Sequence, residues 1–229
     1  MAIALILGTP FFIVFGGLSD KIGRKKIMML GMLLAIIAYR PIYDKIYKTI
    51  DCSNKIEVTA KQTINKKSTL IDSTNNIQLI NSTTQKYFVD GSSIELTEKD
   101  TLINNNTLLK GKEIKKSIQL NNKDYWMIIL LVFIQIIFVT MVYGLIAAFL
   151  VEMFPAKIRY TSMSLPYHIG NGIFGGLLPT VATYLVTTAK SNGQAEWYLN
   201  GLWYPIIIGA VCFIIGMIYL NKNDNKIEE

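Results

Sequence analysis

The stretch WMIILLVFIQIIFVTMVYGLIAAFLV, Trp126 to Val151, decides the kind of fold. Its 26 residues carry no charge, and Gln135 is the only strongly polar one. A helix that crosses the hydrocarbon core of a bilayer needs about 20 predominantly apolar residues. The run therefore predicts a membrane-spanning helix.

Four further runs lie on either side of it. Met1–Leu18 is uncharged and as a helix is about 27 Å long, close to the core thickness of about 30 Å. A secretory leader carries its positive charge before the apolar run, whereas here Lys21, Arg24, Lys25 and Lys26 follow it. Ile27–Tyr39 reaches membrane length only by including residues up to Tyr47. Met163–Val186 is apolar but carries Pro166, His168, Asn171 and Pro179. Leu202–Leu220 is uncharged and opens on Trp203 and Tyr204, as an aromatic belt would.

Composition agrees with five spans. A soluble domain is about 45–50% apolar and about 25% charged. Here the shares are 51% and 17%, with a mean hydropathy of +0.35. Lys, Asp, Asn and Thr crowd into the middle of the chain. This predicts one membrane bundle, residues 1–43 and 125–220, interrupted by a polar insert, 44–124, and followed by a tail, 221–229. The net charge of +7 does not point to nucleic acid, because 13 of the 23 basic residues lie in the insert, all lysines mixed with acids. No basic stripe interleaved with aromatics is present. Cys52 and Cys212 fall in segments of different kind, which argues against a disulfide, and their spacing holds no metal.

Topology follows from short loops rich in Lys and Arg, which stay on the cytoplasmic side. Lys21–Lys26, the loop with Lys157 and Arg159, and the tail with Lys222 and Lys226 share one side if the N-terminus is outside. The insert then lies outside as well. It alternates at Ile77–Leu79, Tyr87–Val89, Ile94–Leu96 and Ile118–Leu120, and Asp90-Gly91 is a hairpin signal. A small β-rich extramembrane domain is the first reading and a partly disordered loop the second. Glycosylation triplets at Asn81 and Asn105 are the kind that arise by chance in Asn/Thr-rich sequence.

The chemistry concentrates at the loops. Gly16-Gly17-Leu18-Ser19-Asp20-Lys21-Ile22-Gly23-Arg24-Lys25-Lys26 reads as a tight turn between two spans, its glycines allowing close approach and turning. It resembles the G-x-L-x-D-x-x-G-R-K loop signature of the major facilitator superfamily. Tyr143 to Ser164, with Glu152, Pro155, Lys157 and Arg159, continues into Leu165-Pro166-Tyr167-His168-Ile169-Gly170-Asn171-Gly172. This region is similar to the loop between helices ten and eleven of the metabolite:proton symporter branch, which includes carriers of proline/betaine, 2-oxoglutarate, shikimate and citrate. The resemblance implies helices eight to twelve of a twelve-helix carrier, whose earlier helices would be needed as partners. The insert matches nothing in that family.

Several polar residues carry alternative readings. The resemblance implies a cytoplasmic gate of Asp20, Arg24, Glu152 and Arg159, with Glu152 paired to Arg24 or Arg159. The alternative is an interfacial ion pair worth about 0–1 kcal/mol. Arg40 lies roughly 20 Å along its helix from Ile27, with Asp44 at i+4 as an in-line partner. It is either a functional charge or a side chain snorkelling outward beside Pro41 and Tyr43. His168, the sole histidine, is either a proton carrier or a neutral imidazole bonded between helices. Asn171, at i+3, would face the same cavity.

Gly170 to Gly175 formally matches G-x-G-x-x-G, but no strand precedes it, so its glycines predict close helix packing. No nucleophile–base or paired-carboxylate constellation points to an enzyme, and no cofactor is implied. The expectation is an all-α transmembrane bundle acting as an alternating-access carrier of a small charged or zwitterionic metabolite with a proton. Its setting would be the bacterial inner membrane. A membrane anchor presenting a periplasmic β-rich interaction domain is the rival reading.

Overall fold

The computed structural model describes residues 2–53, 55–58, 62–72, 77–103, 106–107 and 113–220. Asn105 and the tail with Lys222 and Lys226 lie outside them. The chain divides into a helical unit, 1–48 with 128–229, and a second unit, 49–127.

In the helical unit, α1 (Ala2–Gly8) and α2 (Pro10–Ile22) form one span of 21 residues. Pro10 has no N–H to give the preceding turn, yet Thr9 keeps helical angles, φ −55° and ψ −44°, so the two pieces run on as one rod. Gly23 then ends α2 with φ +102°, a conformation that side chains with a Cβ rarely adopt. Its N–H donates to the Ser19 carbonyl at 2.9 Å. The next helix, α3 (Arg24–Ile50), begins at once.

The sequence pattern placed the start of the insert at Asp44, but α3 continues to Ile50. The ion pair between Asp44 and Lys48, 2.7 Å at i,i+4, supports that extra turn. α4 (Asn122–Met153) is the long apolar helix anticipated from Trp126–Val151. It packs on α3 and α2 around buried Ile27, Met28, Met141 and Leu145, with Phe15 and Phe149 at the margin. Gly31 makes that approach possible: a Cβ there would stand 2.8 Å from the Met141 Cβ. Among lipid tails the gain is close packing rather than escape from water.

The fourth span is built from α5 (Arg159–His168), a π-helical stretch (Ile169–Gly175) and α6 (Gly176–Ser191). A 3₁₀ turn (Trp197–Leu202) leads into α7 (Trp203–Leu220). Five stretches among the described residues are long and apolar enough to cross a membrane: Ala2–Ile22, Arg24–Ile50, Asn122–Met153, Arg159–Ser191 and Trp197–Tyr219. The helical bundle with a small β insert is thus the fold.

The second unit holds that insert. Strands β1 (Thr63–Asp72), β2 (Ile77–Tyr87), β3 (Ser93–Ile103), β4 (Asn106–Thr107) and β5 (Glu113–Gln119) form one antiparallel sheet. β1 pairs β2, β2 pairs β3, and β3 also pairs β4 and β5. Asp90-Gly91 turns β2 into β3 as its sequence signal predicted, with Gly91 at φ +84° and Tyr87 opposite Ser93. Cys52, Phe88 and Ile94 form its small core, flanked by Leu96 and Ile118.

The same turn is pinned by charge. Lys55 Nζ lies 2.5 Å from Asp90 Oδ2, 3.6 Å from Asp124 Oδ2 and 3.2 Å from Ser92 Oγ. Burial pushes the Asp90 carboxyl up, but the Lys55 ammonium and the Ser92 hydroxyl and backbone N–H outweigh it and hold the pKa at about 2. Burial raises the Cys52 thiol above its ordinary value, and both cysteines are free.

Candidate functional site

The loop that turns α2 into α3 places its charges through helix geometry. Asp20 is in the last turn of α2 and Arg24 opens α3, so the two face each other across Gly23 at 3.2 Å. Arg24 Nη1 also reaches Glu152 Oε1 at 2.9 Å, near the end of α4. One planar guanidinium therefore ties two carboxylates from two helices, a task its fork of donors suits. Arg24 is the more sheltered partner, its side chain 25% exposed against 65% for Asp20 and 55% for Glu152. Arg159 stands apart from this cluster: its Nε donates to the Phe154 carbonyl at 3.1 Å and closes the turn after α4.

Gly23 does the turning anticipated for the loop, but close helix approach at Gly16 and Gly17 is not found. A Cβ at either would meet nothing within 4 Å. The same holds for Gly170 and Gly172, where the packing anticipated from their spacing is replaced by the π-helical turn. The wider i→i+5 pattern of that turn is itself unusual in a helix.

At the other end of α3 the expected Arg40–Asp44 pair gives way to different partners. Arg40 Nη2 lies 3.5 Å from Glu196 Oε2 and its guanidinium sits 4.8 Å from the Trp203 ring centre. Asp44 accepts from Lys48 Nζ at 2.7 Å and from the Tyr198 hydroxyl at 2.7 Å. The physical reason is direction. Helical side chains lean toward the N-terminus, so Lys48 leans back onto Asp44 while Arg40 leans away from it. An acid placed four residues before a base is also the favoured order. Tyr47 stacks on Tyr198 with centroids 3.7 Å apart, and Lys190 lies over Trp197. Arg40 is 16 residues beyond Arg24, about 24 Å along the helix.

His168, anticipated as a buried imidazole, is exposed on this chain, as is Asn171. His168 ends α5 and Asn171 sits in the π-helical stretch, so the α-helical spacing that grouped them does not apply. The nearest aromatic to His168 is Tyr167, whose hydroxyl meets that of Tyr143 at 3.0 Å. No residue in the most apolar stretch of this span is buried.

The residue that sequence reasoning noted without assigning is Gln135. It lines a cavity of about 620 Å³ with Tyr39, Tyr43 and Tyr198 among the walls. Its Nε2 is buried and has no hydrogen-bond partner among the described residues. A lone polar side chain in an otherwise apolar span was the signal that could have singled it out. Glu196, Tyr198 and Trp203 were not anticipated as partners of α3, because nothing local in the sequence joins them to it.

No known protein-family profile matches the chain, and no solved structure matches it. Three relatives are informative. The alpha-ketoglutarate permease of Escherichia coli strain K12 is 32% identical over 85 residues, 37% of this chain and 17% of the permease. A Haemophilus influenzae protein provisionally named a metabolite transport protein is 28% identical over 42% of this chain and 20% of its own length. A Staphylococcus aureus protein provisionally named a proline/betaine transporter is 31% identical over 36% and 18% respectively. The matched stretch thus covers a fifth or less of each relative. All three are named as transport proteins.

Proposed function

We propose that this chain, related to metabolite transporters of the major facilitator superfamily and crossing the membrane several times, forms part of a proton-coupled carrier that works by alternating access. The observation that carries the reading is Arg24 bridging Asp20 and Glu152. Such a bridge joins the turn between two spans to the end of a third and can hold that end of the bundle shut. The carrier would lie in a bacterial inner membrane with this turn on the cytoplasmic side and the β insert outside. Further helices, supplied by a longer chain or a partner, would cover the exposed face of the fourth span.

Within this reading, His168 is the proton-carrying candidate, with Asn171 beside it, because it is the sole histidine and is open toward whatever covers that face. Arg40, met by Glu196 and Trp203, serves as an anchor at the outer boundary. The substrate class is a small charged or zwitterionic metabolite, following the names of the relatives.

The test is uptake of radiolabelled 2-oxoglutarate and proline into proteoliposomes holding the complete product of the reading frame. A pH gradient, inside alkaline, should drive accumulation, and His168→Gln should abolish accumulation while sparing downhill exchange. Uptake indifferent to the gradient would remove the proton from the account. Absence of uptake would favour the second reading, in which the helices anchor the β insert; the insert's own core of Cys52, Phe88 and Ile94 supports that alternative.

A further inference from the structure

The fourth span is two helices joined by a stretch that is wound differently. From Ile169 to Gly175 the backbone follows the i→i+5 pattern of a π-helix, with α5 before it and α6 after it. Such winding is rare and frequently marks functional sites. Composition says why it forms here. Four of the eight residues from Ile169 to Gly176 are glycine, the poorest helix former after proline. Pro166 and Pro179 stand on either side, and each takes one backbone donor out of the helical ladder.

One of those losses is answered from another helix. Pro179 has no N–H for the carbonyl one turn before it, which is that of Gly175 on α spacing and that of Phe174 on π spacing. The Tyr204 hydroxyl of α7 donates to the Phe174 carbonyl at 3.0 Å, so α7 supplies a donor where π winding lacks one. On α winding the Leu178 N–H would take that place. A second hydroxyl contact holds α5, where Tyr167 meets Tyr143 of α4 at 3.0 Å. The two halves of the span are not held alike. α6 is fixed against the turn before α7, for a Cβ at Gly201 would stand 3.1 Å from the Ala182 carbonyl and 3.0 Å from the Val186 side chain. α5 buries no side chain against the described residues.

We propose that Ile169–Gly175 is a two-state hinge held in its π form by Tyr204. Release of the Phe174 carbonyl lets the stretch rewind as α-helix and turns α5 about its own axis while α6 stays. A bond that passes from i→i+5 to i→i+4 shifts the register by one residue, and one residue is about 100° of an α-helix. The Tyr143–Tyr167 contact parts in the same motion. His168, the last residue of α5, turns with it and faces a different side of the bundle. The hinge rests on the winding and the two hydroxyl contacts. Only its use, to carry His168 between two sides of a transport path, rests on the carrier reading.

Double electron–electron resonance on the complete protein in nanodiscs reads the turn. Buried Cys52 is the only cysteine kept besides the two that carry nitroxides, one replacing Ile22 at the end of α2 and one replacing Thr161 in α5, both exposed positions. Side chains reach about 5–6 Å from the helix axis, so the turn carries the Thr161 label through several ångströms. The native sequence should give one dominant distance. Tyr204→Phe should raise the population of a second, displaced distance roughly fivefold, as loss of one hydrogen bond does. Pro179→Ala should act in the same direction, because it removes a ring that clashes with the carbonyl four residues back on α spacing. A label replacing Thr188 in α6, paired with the one at Ile22, should keep its distance in both variants. A Thr161 distribution unchanged in both variants, or a Thr188 label displaced along with Thr161, would overturn the proposal. A displaced Thr161 label without uptake by the complete protein would leave the hinge and remove the carrier, whereas uptake with Thr161 fixed in both variants would do the reverse.

Discussion

Arg24 at the start of α3 and Glu152 near the end of α4 are joined at 2.9 Å, although 128 positions separate them in the chain and the whole β insert lies between. The pair closes one end of a packed column in which Met28 meets Met141 and Leu145. Ion pair and apolar contacts therefore act on the same two helices, one fixing the end and the other the spacing.

The spacing can be tested at Gly31. Overpacking a well-filled interface costs about 1–3 kcal/mol, and a Cβ at Gly31 would press on Met141 at 2.8 Å. Gly31→Ala should lower the melting temperature of the chain in nanodiscs. Gly16→Ala and Gly17→Ala, which meet open space, should leave it unchanged or slightly raised.

The turn at Asp90 gives a pH prediction whose sign follows from the lowered carboxyl. The ordinary value is 3.8 and the folded one about 2, so the stabilisation is complete above about pH 4 and is lost as pH falls through about 2. Protection of the Ser92 amide, which donates to Asp90 at 2.9 Å, should persist at pH 4 and fade as the pH approaches 2. Lys55→Met should move that fading to higher pH. Protection that decays with the same midpoint in both proteins would show that Lys55 does not hold Asp90.

Topology is accessible through the same hairpin. Val89 is 68% exposed, and a thiol there, in a Cys212→Ser background, should react with an impermeant maleimide added to intact cells. Reaction only after lysis would place the insert, and with it both chain ends, on the opposite side from the one proposed.

How much of this was legible in the sequence depended on range. Four of the five apolar runs mark their spans because each is continuous with its charges at its ends, whereas the second reaches full length only by taking in Arg40, Asp44 and Lys45. Asp90-Gly91 marks its hairpin because a short hairpin loop needs a residue at positive φ, which Gly91 supplies. β1 escaped notice: Thr63–Asp72 is rich in Thr, Lys and Asn without alternation, and what defines it is backbone pairing to β2. The Arg24–Glu152 pair was open to reading only as an implication of family resemblance. Arg40 and Asp44 misled because spacing alone ignores which way helical side chains lean. The burial expected of His168 is not found, because position within a span does not say which faces this chain itself covers.

The central claim is that the Arg24–Glu152 bridge works as a gate and not merely as a surface ion pair. A double-mutant cycle on the uptake rate of the complete protein, with Arg24→Gln, Glu152→Gln and both together, tests it most directly. The account predicts that each single change lowers uptake several-fold and that the double variant is no slower than the slower single, since both remove one interaction. Single variants transporting at the native rate, or a double variant whose loss is the product of the two single losses, would contradict it.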